Sequence, residues 1–199
     1  MKSYAKHITE VVLPKIQKEL HLKNLMAVPK LDKIIVDVGI GTRVKVSKDY
    51  SDIVDNVIAI TGQKPVIIMA KKAISNFKLR QGSPSGVVVT LRKKKMLDFF
   101  NRLVNVAFPR IRDFQGLSDK SFDGRGNYSI GIKDCTIFPE INPDDLSNIH
   151  GMSITIVTTS QNDEGARALF RALNFPFKKS AAKKDDKNNE SKTDEPVSV

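Results

Sequence analysis

Tryptophan is absent from this 199-residue chain, cysteine occurs once and histidine three times. A lone Cys135 excludes an internal disulfide, and His7, His21 and His150 show no metal-ligand spacing. Disulfide scaffolds and zinc modules are thereby set aside, and a reducing compartment fits best. No apolar run approaches the roughly 20 residues that span a bilayer, and the N-terminal stretch lacks the pattern of a cleavable signal. A soluble, unprocessed protein with no membrane partner is expected.

Acidic residues are scarce relative to basic ones. Lys and Arg number 33 against 22 Asp and Glu, a net charge of +11. From residue 178 onward six Lys face five acids, which leaves +10 in the body. The fold itself is therefore basic, and its natural partner is a polyanion. Net charge alone is also compatible with a soluble protein that is merely basic. With 40% hydrophobic residues, this length suits one globular unit and a tail better than two domains.

Signatures of catalysis are missing too. There is no P-loop, HExxH, nucleophile elbow or paired cysteine. The Gly39-Ile40-Gly41 turn has Val44 where a dinucleotide fingerprint requires a third glycine. Binding of dinucleotides or nucleoside triphosphates would be needed to revive an enzymatic reading. Asp144 and Asp145 follow Pro143 and read as turn or cap residues. Cys135 stands beside Ile137 and Phe138 with no nearby His, which reads as a small buried hydrophobe. No catalytic residue, metal or cofactor is expected.

The patterns that are present alternate irregularly between two periods. Helical spacing covers residues 4–20, bent at Pro14, as well as 48–60, 94–107 and 163–173. Ser47 is the expected N-cap of the second helix, Gly62 lies just past its end, and Pro109 closes or kinks the third. Strands are expected at 31–38, 65–69, 87–92, 128–133 and 152–159. The rhythm is not that of a doubly wound parallel sheet. It predicts an α+β fold, a mostly antiparallel sheet with helices packed on one face and the other face free.

If Val36, Val87, Val89, Ile130, Ile154 and Ile156 point into the core, period 2 places Lys33, Asp37, Thr90, Arg92, Ser129, Lys133 and Thr155 on the free side. That is a polar, partly cationic platform. Lys and Arg neutralise phosphates, and short hydroxyls approach backbone and 2′-hydroxyl groups. Any one-sided antiparallel sheet shows the same alternation, so an ordinary solvated face stays open. Aromatics for stacking single strands are nearly absent from the platform, which favours folded or double-helical RNA.

Residues 71–86 read as an exposed basic loop with Lys71, Lys72, Lys78, Arg80 and little apolar content, either a phosphate-tracking finger or a plain surface loop. Arg110, Arg112, Lys120 and Arg125 mark a second, glycine-containing stretch that suits RNA or another protein.

Several blocks of sequence carry a resemblance. Ile60 to Pro65 (ITGQKP), Phe77 to Gly82 (FKLRQG) and Phe108 to Phe114 (FPRIRDF) are similar to the universal large-subunit ribosomal protein number five. So are Gly116-Leu117-Ser118, Lys120 to Ser129 (KSFDGRGNYS), Ile137 to Ile141 (IFPEI) and Phe175-Pro176-Phe177, in the family's bacterial form. The match runs to about residue 178. The resemblance implies a domain over 1–178 whose concave sheet face and first helix hold 5S rRNA in the central protuberance of the large subunit. It implies that Gln63 and Thr90 contact that RNA, and that Asp37 stands where the family has Asn. An ionised Asp only accepts hydrogen bonds, so Asp37 must meet a 2′-hydroxyl or pair with a cation such as Lys33.

The resemblance further implies that loop 71–86 reaches P-site transfer RNA, with Lys78, Arg80 and Gln81 nearest its tip. Residues 110–148 would face a small-subunit head protein across an intersubunit bridge. The other implied partners are 23S rRNA and neighbouring large-subunit proteins, in a cytoplasmic ribosome of bacterial type. Residues 179–199 have no counterpart in short bacterial forms and are expected to be a disordered charged tail. A free RNA chaperone or translational regulator would present the same basic face.

Overall fold

The computed structural model describes residues 8–41, 49–141 and 149–178. Helix α1 (Leu13–Glu19) follows a wider π-type turn, Ile8–Val12. Pro14 sits in the first turn of α1, directly after the wide turn, whose last residue Val12 keeps right-handed helical dihedrals (φ −75°, ψ −48°). The expected bend at Pro14 is thus a change from wide to regular winding within one continuous helical stretch, placed where the proline has no N–H to give.

Five strands follow, β1 (Leu31–Gly39), β2 (Val66–Met69), β3 (Pro84–Leu91), β4 (Tyr128–Ile132) and β5 (Met152–Thr158). All neighbours are antiparallel, in the order β2-β3-β1-β5-β4. Three further helices are α2 (Ser51–Thr61), α3 (Lys93–Arg102) and α4 (Asp163–Ala172). The α+β expectation holds. Helix α2 lies against β3, α3 against β1, and α1 against α4.

Alternation decides which side of the sheet is core. Ile34, Val36 and Val38 of β1 are buried, as are Val87, Val89, Ile130, Ile154 and Ile156, and they join apolar residues of all four helices in one cluster. Between β1 and β5 the register shifts at Leu31 and Lys33, so Asp32 occupies a bulge.

Ends of elements show where local chemistry overrides periodicity. Helix α2 begins at Ser51, later than expected, and the Asp49 carboxylate accepts from the Ser51 amide at 3.0 Å and its hydroxyl at 2.8 Å. Ser47 lies outside the described residues. Gly62 ends α2 in the left-handed region at φ 67°, its N–H donating to Ile58 O. The third helix does not run unbroken to residue 107. After Arg102 it widens into a π-type turn, Leu103–Ala107, then tightens over Phe108–Arg110. Pro109 has no N–H to give to the Asn105 carbonyl, and its ring would crowd that carbonyl in a regular helix.

An aromatic cluster holds the long connection between α3 and β4. Phe170, Phe175 and Tyr128 pack ring against ring at 4.9–5.7 Å, with Phe122 and Phe177 around them. Gly116, at φ +94°, lets the chain touch the C-terminal segment. A Cβ there would stand 2.7 Å from the Lys178 backbone. Through that gap Leu117 N donates to Pro176 O, and Lys178 N donates to Leu117 O, each at 2.9 Å.

Tyr128 is buried, and its hydroxyl donates to Ser118 O at 2.6 Å. Burial pushes that hydroxyl's pKa up, and the nearby Asp119 carboxylate pushes it further. The folded state therefore holds this proton more tightly than the unfolded chain, and stability falls as pH rises past the ordinary tyrosine value of about 10. Tyr128→Phe should cost about 1 kcal/mol at neutral pH, from the lost hydrogen bond, and should flatten the alkaline limb of stability against pH. Urea unfolding of both proteins at several pH values would show it; parallel alkaline limbs would rule out Tyr128 as the titrating group.

Candidate nucleic-acid interface

The face of the sheet turned away from the core is built in rows. Register aligns Thr90, Ile35, Thr155 and Ser129 across β3, β1, β5 and β4. The next row is Val66, Val88, Asp37, Ser153 and Gly131, across all five strands. Lys33 pairs with Val157. Thus Lys33, Asp37, Thr90, Ser129 and Thr155 do share one face. The hydroxyls of Ser129 and Thr155 are hydrogen-bonded to each other at 3.2 Å.

Gln63 joins them from outside the strands. Its Nε2 donates to Thr90 O at 3.3 Å, and the Lys95 ammonium donates to Gly62 O at 3.1 Å beside it. The turn after α2 is thereby tied to β3, with the Gln63 amide oxygen left over. Upstream, the buried Thr61 hydroxyl donates to Val57 O at 2.6 Å and fixes the helix end that carries Gln63.

Arg92 and Lys133 lie just past the ends of β3 and β4 and are exposed. Arg92 faces Asp32 at 3.8 Å, both side chains about half exposed, a pair worth little in water. Asp37 is exposed and makes no ion pair among the described residues, so of the two alternatives offered for its carboxylate the pairing with Lys33 is not formed within the chain. The missing side chain of Gly86 keeps the space beside its carboxylate clear; a Cβ there would come to 3.5 Å of Asp37 Oδ1.

The platform is less polar than alternation suggested. Val66 and Ile68 of the edge strand are 69% and 45% exposed, and Ile35, Val88 and Val157 are half-buried on the same side. The signal for Ile35 was present in the period of β1. For β2 it was not, because the unbroken apolar run Val66-Ile67-Ile68-Met69 does not say which residues face out.

The basic loop is shorter than expected, since β3 already begins at Pro84. Ala70 N donates to Ser83 O and Gly82 N to Ala70 O at the neck; Ile74 and Leu79 exchange both backbone bonds nearer the tip. Lys71, Lys72, Lys78, Arg80 and Gln81 line this loop, and its four cations are exposed. So are Ile74 and Phe77, which corrects the reading of little apolar content.

Arg110, Arg112, Lys120 and Arg125 are exposed along 110–125, and none is ion-paired among the described residues. Their connection is shaped by Asp123, whose carboxylate accepts from the amides of Arg125 and Asn127 and from the Asn127 side chain. Those bonds, the side-chain one foremost, hold its pKa below the ordinary carboxylate value. Residues 142–148 of the same stretch, with Asp144 and Asp145, lie outside the described residues.

Of the residues weighed for enzymatic roles, Gly39, Ile40, Gly41 and Cys135 lie among the described residues. Gly39 belongs to β1, and Ile40 is buried with its N–H donating to Ser85 O at 3.1 Å, so that turn continues the sheet instead of cradling phosphates. Val44 lies outside the described residues. Cys135 is buried as expected, yet a histidine is near it after all: its amide donates to His150 O at 3.1 Å. That backbone contact crosses between segments and had no sequence signal. Among the described residues no His, Cys, Asp and Glu group could hold a metal, and no helix is long and apolar enough to cross a membrane.

Known proteins match most of the chain. Residues 24–80 match the family Ribosomal protein L5, and residues 84–177 match the C-terminus of the same ribosomal family. The large ribosomal subunit protein uL5 of Fusobacterium nucleatum is 52% identical over 176 residues, 88% of this chain and 96% of that protein. Its namesake in Geotalea uraniireducens is 52% identical over 167 residues, 84% and 93% of the two chains. That of Synechococcus sp. strain RCC307 is 51% identical over 176 residues, 88% and 98%. Fold, basic body and matched segments agree: the chain belongs to the uL5 family, structural proteins of the large subunit of the cytoplasmic bacterial-type ribosome and not enzymes.

Proposed function

We propose that residues 1–178 form the RNA-binding unit and that the open sheet face anchors 5S rRNA in the central protuberance. In this reading Gln63 and Thr90 set register, Lys33, Arg92 and Lys133 meet phosphates, and Ser129 and Thr155 meet ribose. Loop 70–83 reaches P-site transfer RNA with Lys71, Lys72, Lys78, Arg80 and Gln81. Residues 110–148, with Arg110, Arg112, Lys120 and Arg125, face a protein of the small-subunit head; 23S rRNA and neighbouring large-subunit proteins complete the surroundings.

The observation that carries the reading is the Gln63–Thr90 junction, because it fixes a polar group from a helix end beside the sheet face turned away from the core. Position-setting groups of this kind fix register, while cations supply affinity. Asp37 would accept from a 2′-hydroxyl, since an isolated carboxylate repels phosphate but accepts a hydroxyl proton.

Binding of the full chain to 5S rRNA, against a size-matched control RNA, tests this. Selective binding weakened about tenfold by Thr90→Ala, the scale of one or two hydrogen bonds, is expected. Arg80→Ala should leave it nearly unchanged, because the loop serves another RNA. Equal binding to both RNAs would favour a general RNA chaperone and sink the 5S assignment.

A further inference from the structure

We infer that Phe77 is a stacking residue, which receives the open face of a nucleobase at the tip of loop 70–83. The inference rests on the proposed assignment of that loop to transfer RNA and adds the chemistry by which the tip engages it.

Phe77 is 63% exposed and, among the described residues, takes part in neither the core cluster nor any ring contact with another aromatic. Leaving a phenyl ring in water forgoes hydrophobic stabilisation, so a loop that needed only charge would not place one here. The exposure is also built and not incidental. The neck is closed by Ala70 N to Ser83 O at 2.8 Å and Gly82 N to Ala70 O at 3.0 Å. The tip is closed by Ile74 N to Leu79 O at 2.9 Å and Leu79 N to Ile74 O at 3.1 Å.

Inside that closure Ser75–Phe77 forms a single tight turn, and Lys78 ends it at φ 52°, with its N–H donating to Ser75 O at 2.9 Å. Lys78 adopts a costly left-handed backbone to end the turn, and the ring stands one residue before it. With the backbone already closed, binding at the tip has only the two torsions of the phenyl side chain left to order, which lowers the entropic cost of a stacking contact.

Surrounding charge selects the partner. Between residues 70 and 86 there is no Asp or Glu, while Lys71, Lys72, Lys78 and Arg80 are exposed. A flat apolar ring set among cations with no acid matches a nucleobase with its phosphates alongside, since every base has a π-face and every linkage a charge. Among the described residues the sheet face, by contrast, has hydroxyls, charged groups and aliphatic groups but no ring. Two modes of RNA contact thus sit on one molecule: groove and backbone contact at the sheet, stacking at the loop.

The test uses large subunits carrying the full chain with Phe77→Ala, Phe77→Leu, Phe77→Tyr, Phe77→Trp or Arg80→Ala, and reads P-site transfer RNA affinity across a salt series. Alanine and leucine should weaken binding about fivefold or more, the low end of what one stacked base contributes. Tyrosine and tryptophan should restore it. The Phe77→Ala deficit should persist at high salt, whereas that of Arg80→Ala should shrink. Wild-type affinity in Phe77→Ala alongside a defect in Arg80→Ala would overturn stacking and leave the loop assignment standing. Full rescue by leucine would overturn it as well, replacing stacking with a plain apolar contact. No defect in any variant would overturn the loop assignment, and the inference with it.

Discussion

Phe170→Ala should lower folding stability by about 3–5 kcal/mol, the usual cost of removing a buried phenyl ring. Phe170 is fully buried, and its ring lies 4.9 Å from that of Phe175, 5.7 Å from Tyr128 and 5.9 Å from Phe122. These neighbours come from a strand, a loop and the C-terminal segment, and each is held by its own backbone bonds. They cannot all collapse into the gap, so the cavity term adds to the lost transfer free energy. For a protein of this size about 3–5 kcal/mol corresponds to a melting temperature lower by roughly 6–20 °C.

The loss should also reach the surface. Arg167 stands over the Phe122 ring at 5.2 Å and pairs with Asp119, so the stretch bearing Lys120 and Arg125 is propped on the cluster. Faster proteolysis near residues 115–125 than near the sheet should accompany the lower melting point. A drop of less than about 1 kcal/mol would show that the rings close over the vacancy and that the connection is held by its backbone bonds alone.

What the sequence disclosed followed from period. Strand β1 alternates cleanly, so Lys33 and Asp37 were assignable to the open side and Val36 to the core from the pattern alone. Residues 77–82 and 108–114 identified the family because short motifs survive in sequence whatever the tertiary context. The Gln63 to Thr90 bond joins residues 27 apart and leaves no periodic trace, so only the resemblance pointed to both.

Where the reading failed, a local backbone rule had been outvoted. Pro84 and Gly86 signal turns, yet both sit in β3. Pro84 is tolerated because it is the first residue of the strand, where a missing N–H costs least. Helical period over 94–107 was genuine, but Pro109 disturbs the bonds of the turn before it. Phe77 belonged to a recognised motif without its exposure being evident, since an aromatic in a sequence is read by default as core.

Between about 50 and 200 mM salt, affinity for 5S rRNA should fall roughly 10³-fold if about six phosphates are neutralised. Lys33, Arg92 and Lys133 on the sheet side, with Lys93, Lys94 and Lys95 at the start of α3, supply cations on that scale. Most are exposed, and the weak Arg92 to Asp32 pair is easily traded for a phosphate. Removing one such cation, as in Lys133→Ala, should lower the slope of log affinity against log salt by about one. Thr90→Ala should instead lower affinity by the same factor at every salt, because a neutral hydrogen bond releases no counterion.

Asp37→Asn separates charge from hydrogen bonding on the same platform. The amide keeps an acceptor, gains a donor and removes a carboxylate that has no ion-pair partner among the described residues, so affinity should rise, most at low salt. If Asp37→Asn weakens binding instead, the 2′-hydroxyl bond to the charged carboxylate is stronger than that to the neutral amide by more than phosphate repulsion costs. A flat salt response in the wild type would remove phosphate contacts from the sheet face and leave the basic body to serve another surface of the ribosome.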